Sequence, residues 1–230
     1  MKTSVVMATL NSGQYLQTAL ESIAAQTLPV HETVIVDGGS TDETIAIAQS
    51  FPFVRVIAQT GKGLPDAWNT GIKATVGDCI TFLDSDDYWT PVKISLQVAA
   101  LEQDPSLLAV IGHVRFFVEE GAQSPVSFKP ERLIGTHAAS MPGTLMVRRS
   151  IFDTLGYFDT RFPITCDIDW FARVRDLNLP LLTLPDLFMH KRVHETNLGL
   201  KSDSQPSYQR ELVQLLFEKR RRKIGSAHGS

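Results

Sequence analysis

The sequence predicts an α/β domain, with a Rossmann-like, mostly parallel central sheet, helices on both faces and a smaller, less regular second subregion. Three observations carry this expectation. Short apolar runs alternate with helical patterns through the first half of the chain, and strand, helix, strand with short loops means right-handed crossovers. The run CITFLDSDD, Cys79 to Asp87, carries an apolar, β-rich segment straight into three carboxylates, Asp84, Asp86 and Asp87. A strand buried on both faces reads as such a continuous apolar run, and ligands of open α/β sheets bind at the carboxyl ends of the strands. Finally, 230 residues with 43% hydrophobic and 20% charged content suit one sizeable globular domain.

Each element has its own signal. Ser4 to Ala8 reads as the first strand. Tyr15 to Gln26 reads as a helix because Leu16, Ala19, Leu20 and Ile23 recur at i, i+3, i+4 and i+7. Thr33 to Val36 forms a second strand ending at Asp37. Ser40-Thr-Asp-Glu43 has the form of a capping box opening the next helix, with Asp42 as a first-turn acid. Phe53 to Ala58 is a third strand, Asp66 to Ala74 a short helix, and Ile80 to Leu83 the strand that ends in DSDD. Pro91 suits position N1 of a helix carrying Ile94, Val98 and Leu101.

The second half is less periodic. Leu107 to Glu119 suggests two strands interrupted at Gly112. Gly143 to Arg148 reads as a strand and Ser150 to Leu155 as a helix stopped by Gly156. Asp167 to Leu177 reads as a helix with Trp170, Val174 and Leu177 on one face. Two strands, Leu181 to Leu184 and Leu187 to Val193, follow. Tyr208, Leu212, Leu215 and Leu216 define a last amphipathic helix over 205–224, and 225–230 reads as a flexible tail. With no internal repeat and no linker, one domain over 1–224 is expected, divided near residue 104 and again near residue 200.

Bulk properties exclude several classes. A net charge of −3 gives no electrostatic support to a nucleic-acid partner. Cys79 and Cys166 lack metal-type spacing and fit a reducing, cytoplasmic compartment. No apolar run approaches the roughly 18 residues of a membrane span, and the N-terminus reads as a strand. The cluster Lys219, Arg220, Arg221, Arg222 and Lys223 reads as a solvated helix end. The alternative is a peripheral contact with anionic lipid at the inner face of the plasma membrane.

The acids carry the chemistry. Asp37 and Asp84, 47 positions apart, both end strands on one sheet edge and so flank one crevice. Three carboxylates at 84, 86 and 87 repel one another unless a cation sits among them, and hard divalent cations prefer such oxygen donors. A metal that holds a phosphorylated ligand follows; the alternative is an acidic, solvated turn. In CDIDW, Asp167 and Asp169 lie about 200° apart on a helix, so both cannot face one substrate from a regular helix. If Asp167 stands at the N-cap, its side chain is free to enter the cleft.

With these residues placed, the sequence resembles the inverting family 2 glycosyltransferases of the GT-A fold. Four segments match in order: VMATLNSGQYLQTALESIAAQT, VIVDGGSTDET, DAWNTGIKATVGDCITFLDSDD and FDTRFPITCDIDWFARV. PGTLMVRRSIFDTLGYFD is similar to the subgroup that makes bacterial surface polysaccharides. The resemblance, over roughly residues 3–198, implies sugar transfer with inversion from a nucleoside-diphosphate sugar, UDP-sugars favoured, to a saccharide or lipid-linked saccharide acceptor. It implies that 1–104 binds the nucleotide sugar and 105–200 the acceptor. By the same resemblance Asp37 binds the base, with backbone at Thr9 and Leu10 lining its pocket. Asp66 lies near the donor, Asp84 lies near the ribose, and Asp86 ligates a divalent cation, Mn²⁺ or Mg²⁺. Asp167 is the implied catalytic base, with Asp169 the alternative, and His194 reaches the diphosphate or metal. Asp87 and Arg192 are accessory. Simple caps remain open for Asp37's loop, Asp66 and both acids of CDIDW. Two other classes are set against this reading. A nucleotidyltransferase usually shows an early Gly-rich, basic loop, whereas VMATLNSGQY has one Gly and no base. A non-catalytic nucleotide-sugar-binding protein has no use for Asp167.

Overall fold

A computed structural model describes residues 1–126, 128–195, 197, 210–211, 213–215 and 217. The first half builds four strands, β1 (Thr3–Thr9), β2 (Glu32–Asp37), β3 (Val54–Ala58) and β4 (Cys79–Phe82). Between them run α1 (Gly13–Ala24), α2 (Thr44–Gln49) and α3 (Leu64–Ala74). All three pairings among these strands are parallel, in the order β3-β2-β1-β4. The chain steps outward from β1 through β2 to β3, then returns to place β4 on the other side of β1. That reversal is a topological switch point, where such sheets open a crevice. Register fixes its edge: Thr9 pairs with Asp37 and Val6 with Phe82, so the carboxyl ends of β1, β2 and β4 align.

The second half extends the sheet as β4-β8-β6-β9-β5. It comprises β5 (Tyr88–Trp89), α4 (Lys93–Gln103), β6 (Ala109–Phe117), β7 (His137–Ala138), β8 (Met146–Arg148), α5 (Ile151–Leu155), α6 (Cys166–Asp176) and β9 (Leu181–Arg192). Here β8 runs antiparallel to both β4 and β6, while β9 returns parallel to β6. The sheet is therefore mixed beyond β4. Side chains alternate across it as strand geometry requires. Val5 and Met7 face a core shared with α1, α2 and α4, and Val6 faces one shared with α3, α5, α6 and Leu215. Among the described residues no helix is long and apolar enough to cross a membrane. The basic cluster at 219–223 and the tail at 225–230 lie outside the described residues.

Several expectations are corrected. The two strands expected on either side of Gly112 are one strand, β6, whose register with β9 shifts around that glycine. Likewise 181–184 and 187–193 are one twelve-residue strand crossing Pro185. Pro91 lies before α4, its carbonyl accepting the Thr27 amide at 2.9 Å, and Leu177 falls past the end of α6 with 54% exposure. The segment Gly143 to Arg148 opens with a 3₁₀ turn, Pro142–Thr144, before β8 begins. The Ser40 box does not form, because α2 begins only at Thr44 and Ser40 is engaged elsewhere.

Gly112 has a packing role. A Cβ there would lie 2.2 Å from a ring carbon of Phe188, a side chain with no exposure. Gly112→Ala is expected to destabilise the protein by about 1–3 kcal/mol through overpacking, read by urea denaturation. An unchanged midpoint would contradict the β6–β9 register.

Candidate active site

The site grows from three loops at the aligned strand ends. After β2, Asp37 is 8% exposed and saturated. Its carboxylate accepts hydrogen bonds from Thr9 Oγ1, Ser40 Oγ and the amides of Gly39 and Ser40. Burial works against its charge, but these donors outweigh it and hold the acid below the usual range. Asp42 ties two helix starts together by accepting from the Gly13 amide and from Thr44. Asp37 thus clamps its own loop, and Gly38, Thr9 and Leu10 form the cavity wall beside it. Asp66 behaves similarly: its carboxylate accepts from Gln59 Nε2 at 3.0 Å and the Gly61 amide at 3.1 Å, shaping the 59–64 wall without lining the cavity.

The DSDD turn after β4 forms the floor. Asp84, Asp86 and Asp87 each offer a carboxylate oxygen, all within 4.8 Å of one another, an all-oxygen set able to hold a hard divalent cation. The turn is held against β9. Lys191 Nζ lies 2.8 Å from Asp87 and 3.3 Å from Asp84, and the Arg192 amide donates to Asp87 at 2.8 Å. Asp87, whose side chain has no exposure, is thus the anchor between turn and strand. Burial pushes its pKa up to about 7 against the pull of Lys191, and Asp84 moves in the same direction for the same reason. Burial also opposes charge on Lys191, but the three carboxylates outweigh it and raise its pKa well above normal. Asp86 goes the other way: burial opposes its ionisation, while the His194 hydrogen bond and Lys191 prevail and lower it. His194 Nε2 stands 2.9 Å from Asp86 Oδ2, and Asn197 Nδ2 donates to the same oxygen at 3.0 Å. Arg192 donates to the Asp86 carbonyl at 2.9 Å, pairs with Glu119, and lies over the Tyr15 and Phe117 rings. His190, one residue before Lys191, instead stacks on Tyr88 at 4.6 Å, so the two histidines do not share a site.

The facing wall comes from α6. Thr165 precedes the helix, so Asp167 occupies its first turn and not the N-cap. Asp167 lines the cavity, with the Ile168 amide donating to it at 2.8 Å. Burial is the main reason its pKa rises to about 6, and Asp84 adds to it. Asp169 is turned away, 3% exposed and paired with Arg173 at 2.8 Å. The start of α6 is held from an unexpected quarter. Glu211, near the C-terminus, accepts from the amides of Ile164 and Thr165 at 3.1 and 3.0 Å and from the Thr165 hydroxyl at 3.0 Å.

These parts enclose one cavity of about 1020 Å³, lined by Thr9, Leu10, Asp84, Asp86, Asp167, Lys191, Arg192 and His194 among others. Sequence reasoning missed the roles of Lys191, Tyr15, Asn197 and Glu211. Lys191 and Arg192 stand close to His194 in sequence, but nothing local signals that the DSDD turn they bind lies more than a hundred residues away.

Against known proteins, the model of the family described as glycosyl transferase family 2 matches residues 4–171. The chain belongs to that family. It is 31% identical over 184 residues, 75% of this chain and 68% of the relative, to the uncharacterized glycosyltransferase YwdF of Bacillus subtilis. It is 32% identical over 204 residues, 84% of this chain and 76% of the relative, to a PGL/p-HBAD biosynthesis glycosyltransferase of Mycobacterium bovis. Among solved structures, S. aureus TarS 1-349 in complex with UDP superposes with a TM-score of 0.67 at 25% identity. That match covers 84% of this chain and 61% of the TarS chain, so this chain spans less than two thirds of that neighbour. The mannosyltransferase PcManGT of Pyrobaculum calidifontis, in complex with GDP-Man and Mn²⁺, superposes with a TM-score of 0.68 at 20% identity, covering 96% and 64%. The family 2 chain thus has the GT-A architecture, and its acidic cluster fits the DxD motif.

Glu211 gives a test of this geometry. Glu211→Ala leaves the buried amide and hydroxyl of Thr165 and the part-buried amide of Ile164 without their acceptor, and is expected to cost about 1–3 kcal/mol in thermal unfolding. Glu211→Gln, which keeps an acceptor oxygen, should lose less. Equal stability of Glu211→Ala and wild type would remove the tether.

Proposed function

We propose that this glycosyltransferase moves a sugar from a nucleoside-diphosphate donor, UDP-sugars favoured, to a hydroxyl of a saccharide or lipid-linked saccharide acceptor. The transfer inverts the anomeric centre and serves cell-surface polysaccharide synthesis on the cytoplasmic side. The single observation that supports it is one cavity lined both by the Asp84–Asp86 floor and, on the facing wall, by Asp167. UDP and GDP-Man in the structural neighbours support the donor class.

Thr9, Leu10 and Gly38, fixed by the Asp37 clamp, receive the nucleoside. Asp86 would hold the divalent cation, Mn²⁺ or Mg²⁺, with Asp84 near the ribose and His194 and Asn197 orienting Asp86. The charge balance fits: three acids against the one ammonium of Lys191 leave two formal negative charges, and Arg192 is already paired with Glu119. Such a cation supplies Lewis-acid stabilisation of the leaving diphosphate, typically worth several kcal/mol. Asp167 accepts the proton of the acceptor hydroxyl as that oxygen bonds to the anomeric carbon and the carbon–diphosphate bond breaks. One base and no enzyme nucleophile give one in-line displacement, hence inversion.

A base with a pKa near 6 is ionised at neutral pH and still basic enough to take a proton. Protonation removes the active form, so kcat/KM should fall about tenfold per pH unit below about 6 and level off above it. Asp167→Asn should keep nucleotide affinity and lose about 10²–10⁴-fold in turnover, without that acid limb. Full turnover in the variant would place the base elsewhere. Calorimetry should find UDP binding strengthened at least tenfold by Mn²⁺ or Mg²⁺; equal affinity with EDTA would count against the cation site.

A further inference from the structure

Opposite the nucleotide-side loops, the cavity has a second wall made by Phe116 on β6, Phe128, Arg132, Met141 and Pro142. Arg132 is the one charged side chain among these five. It sits in a 3₁₀ turn, Pro130–Leu133, whose position is fixed because the Arg132 carbonyl lies 3.1 Å from His137 Nε2 on β7. Its guanidinium lies 4.3 Å from the centroid of Phe116 and 5.8 Å from that of Phe128, two rings that are each 5% exposed. Arg132 is exposed on this wall of the cavity, and among the described residues its guanidinium has no acidic partner and donates no hydrogen bond. Of the three other lysines and arginines that line the cavity, Lys191 is committed to Asp84 and Asp87 and Arg192 to Glu119 and the Asp86 carbonyl, while Lys62 stands on the 59–64 wall beside the nucleotide-side loops.

A guanidinium stacked on an aromatic face is fixed in orientation while its edge keeps a planar fork of N–H donors, the arrangement that recognises phosphate or carboxylate bidentately. The wall around it is apolar or neutral and offers no compensating charge. Ligand sites commonly occupy about 300–1,000 Å³, so a cavity of about 1020 Å³ leaves space beyond the donor for part of a second substrate.

We propose that Arg132, on its Phe116–Phe128 platform, is an oxyanion subsite for the acceptor, and that the acceptor carries a phosphate or a carboxylate near the hydroxyl that is glycosylated. This rests on the donor reading above, since it takes the remaining half of the cavity for the acceptor. A phosphate would come from a phosphorylated carrier or saccharide, a carboxylate from an acidic sugar; the fork serves both.

The test titrates UDP-saturated protein with inorganic phosphate and, separately, with glucuronate, following binding by calorimetry or by NMR. Saturable binding of at least one of the two is expected, weakened at least tenfold in Arg132→Met and by less in Arg132→Lys, with UDP affinity unchanged in both variants. The tighter probe identifies the source of the anion. Absence of saturable binding by either probe, or equal binding in Arg132→Met, overturns the proposal. So does a loss of UDP affinity in that variant, which would place Arg132 on the donor side. UDP failing to bind wild type at all would sink the donor reading instead, and the two failures are told apart by the same titration.

Discussion

The site depends on one electrostatic constraint: three carboxylates at the end of β4 are held together by the half-buried ammonium of Lys191 from β9. Without Lys191, Asp84, Asp86 and Asp87 would repel across a few ångströms in a poorly solvated floor. With it, the turn is tied to the far half of the sheet, and the Arg192 amide adds a second tie to Asp87. The parallel half supplies the acids, and the mixed half supplies the charge that gathers them. Neither half makes the floor alone.

The remaining residues divide between groups that face the cavity and groups that fix those that do. Asp37, Asp42, Asp66, Asp87, Asp169 and Glu211 spend their carboxylates on backbone amides, hydroxyls or cations. Asp84, Asp86 and Asp167 keep access to the cavity. A family of acids similar in composition is thus sorted by burial and by donors into braces and reagents. Asp167 owes its raised pKa chiefly to burial, with the nearby Asp84 adding to it, so the cavity wall that holds this acid also sets its basicity.

Much of the first half was legible because its signals are local. Continuous apolar runs marked β1, β2 and β4, and the 3.6-residue stripe of Leu16, Ala19, Leu20 and Ile23 marked α1. The crevice followed from topology, since Asp37 and Asp84 end parallel strands in register with β1 or adjoining it. What failed had non-local causes. Ser40 looked like a cap, but the Asp37 carboxylate and the Asn11 amide took its hydroxyl. Gly112 and Pro185 looked like breaks, yet the long β6–β9 pairing absorbs both through shifts of register. Strands of two residues, such as β5 and β7, carry no periodicity to read. Lys191 and Glu211 act through partners 104 and 46 positions away, which only the folded sheet reveals.

The central claim, that this floor is built to take one divalent cation beside the charge already supplied by Lys191, is tested most directly by counting. Titration of the UDP-loaded protein with Mn²⁺, followed by electron paramagnetic resonance, should give one bound ion per chain in wild type and none of comparable affinity in Asp86→Asn. Saturation at one ion in both proteins, or no saturable binding in wild type, would contradict the account.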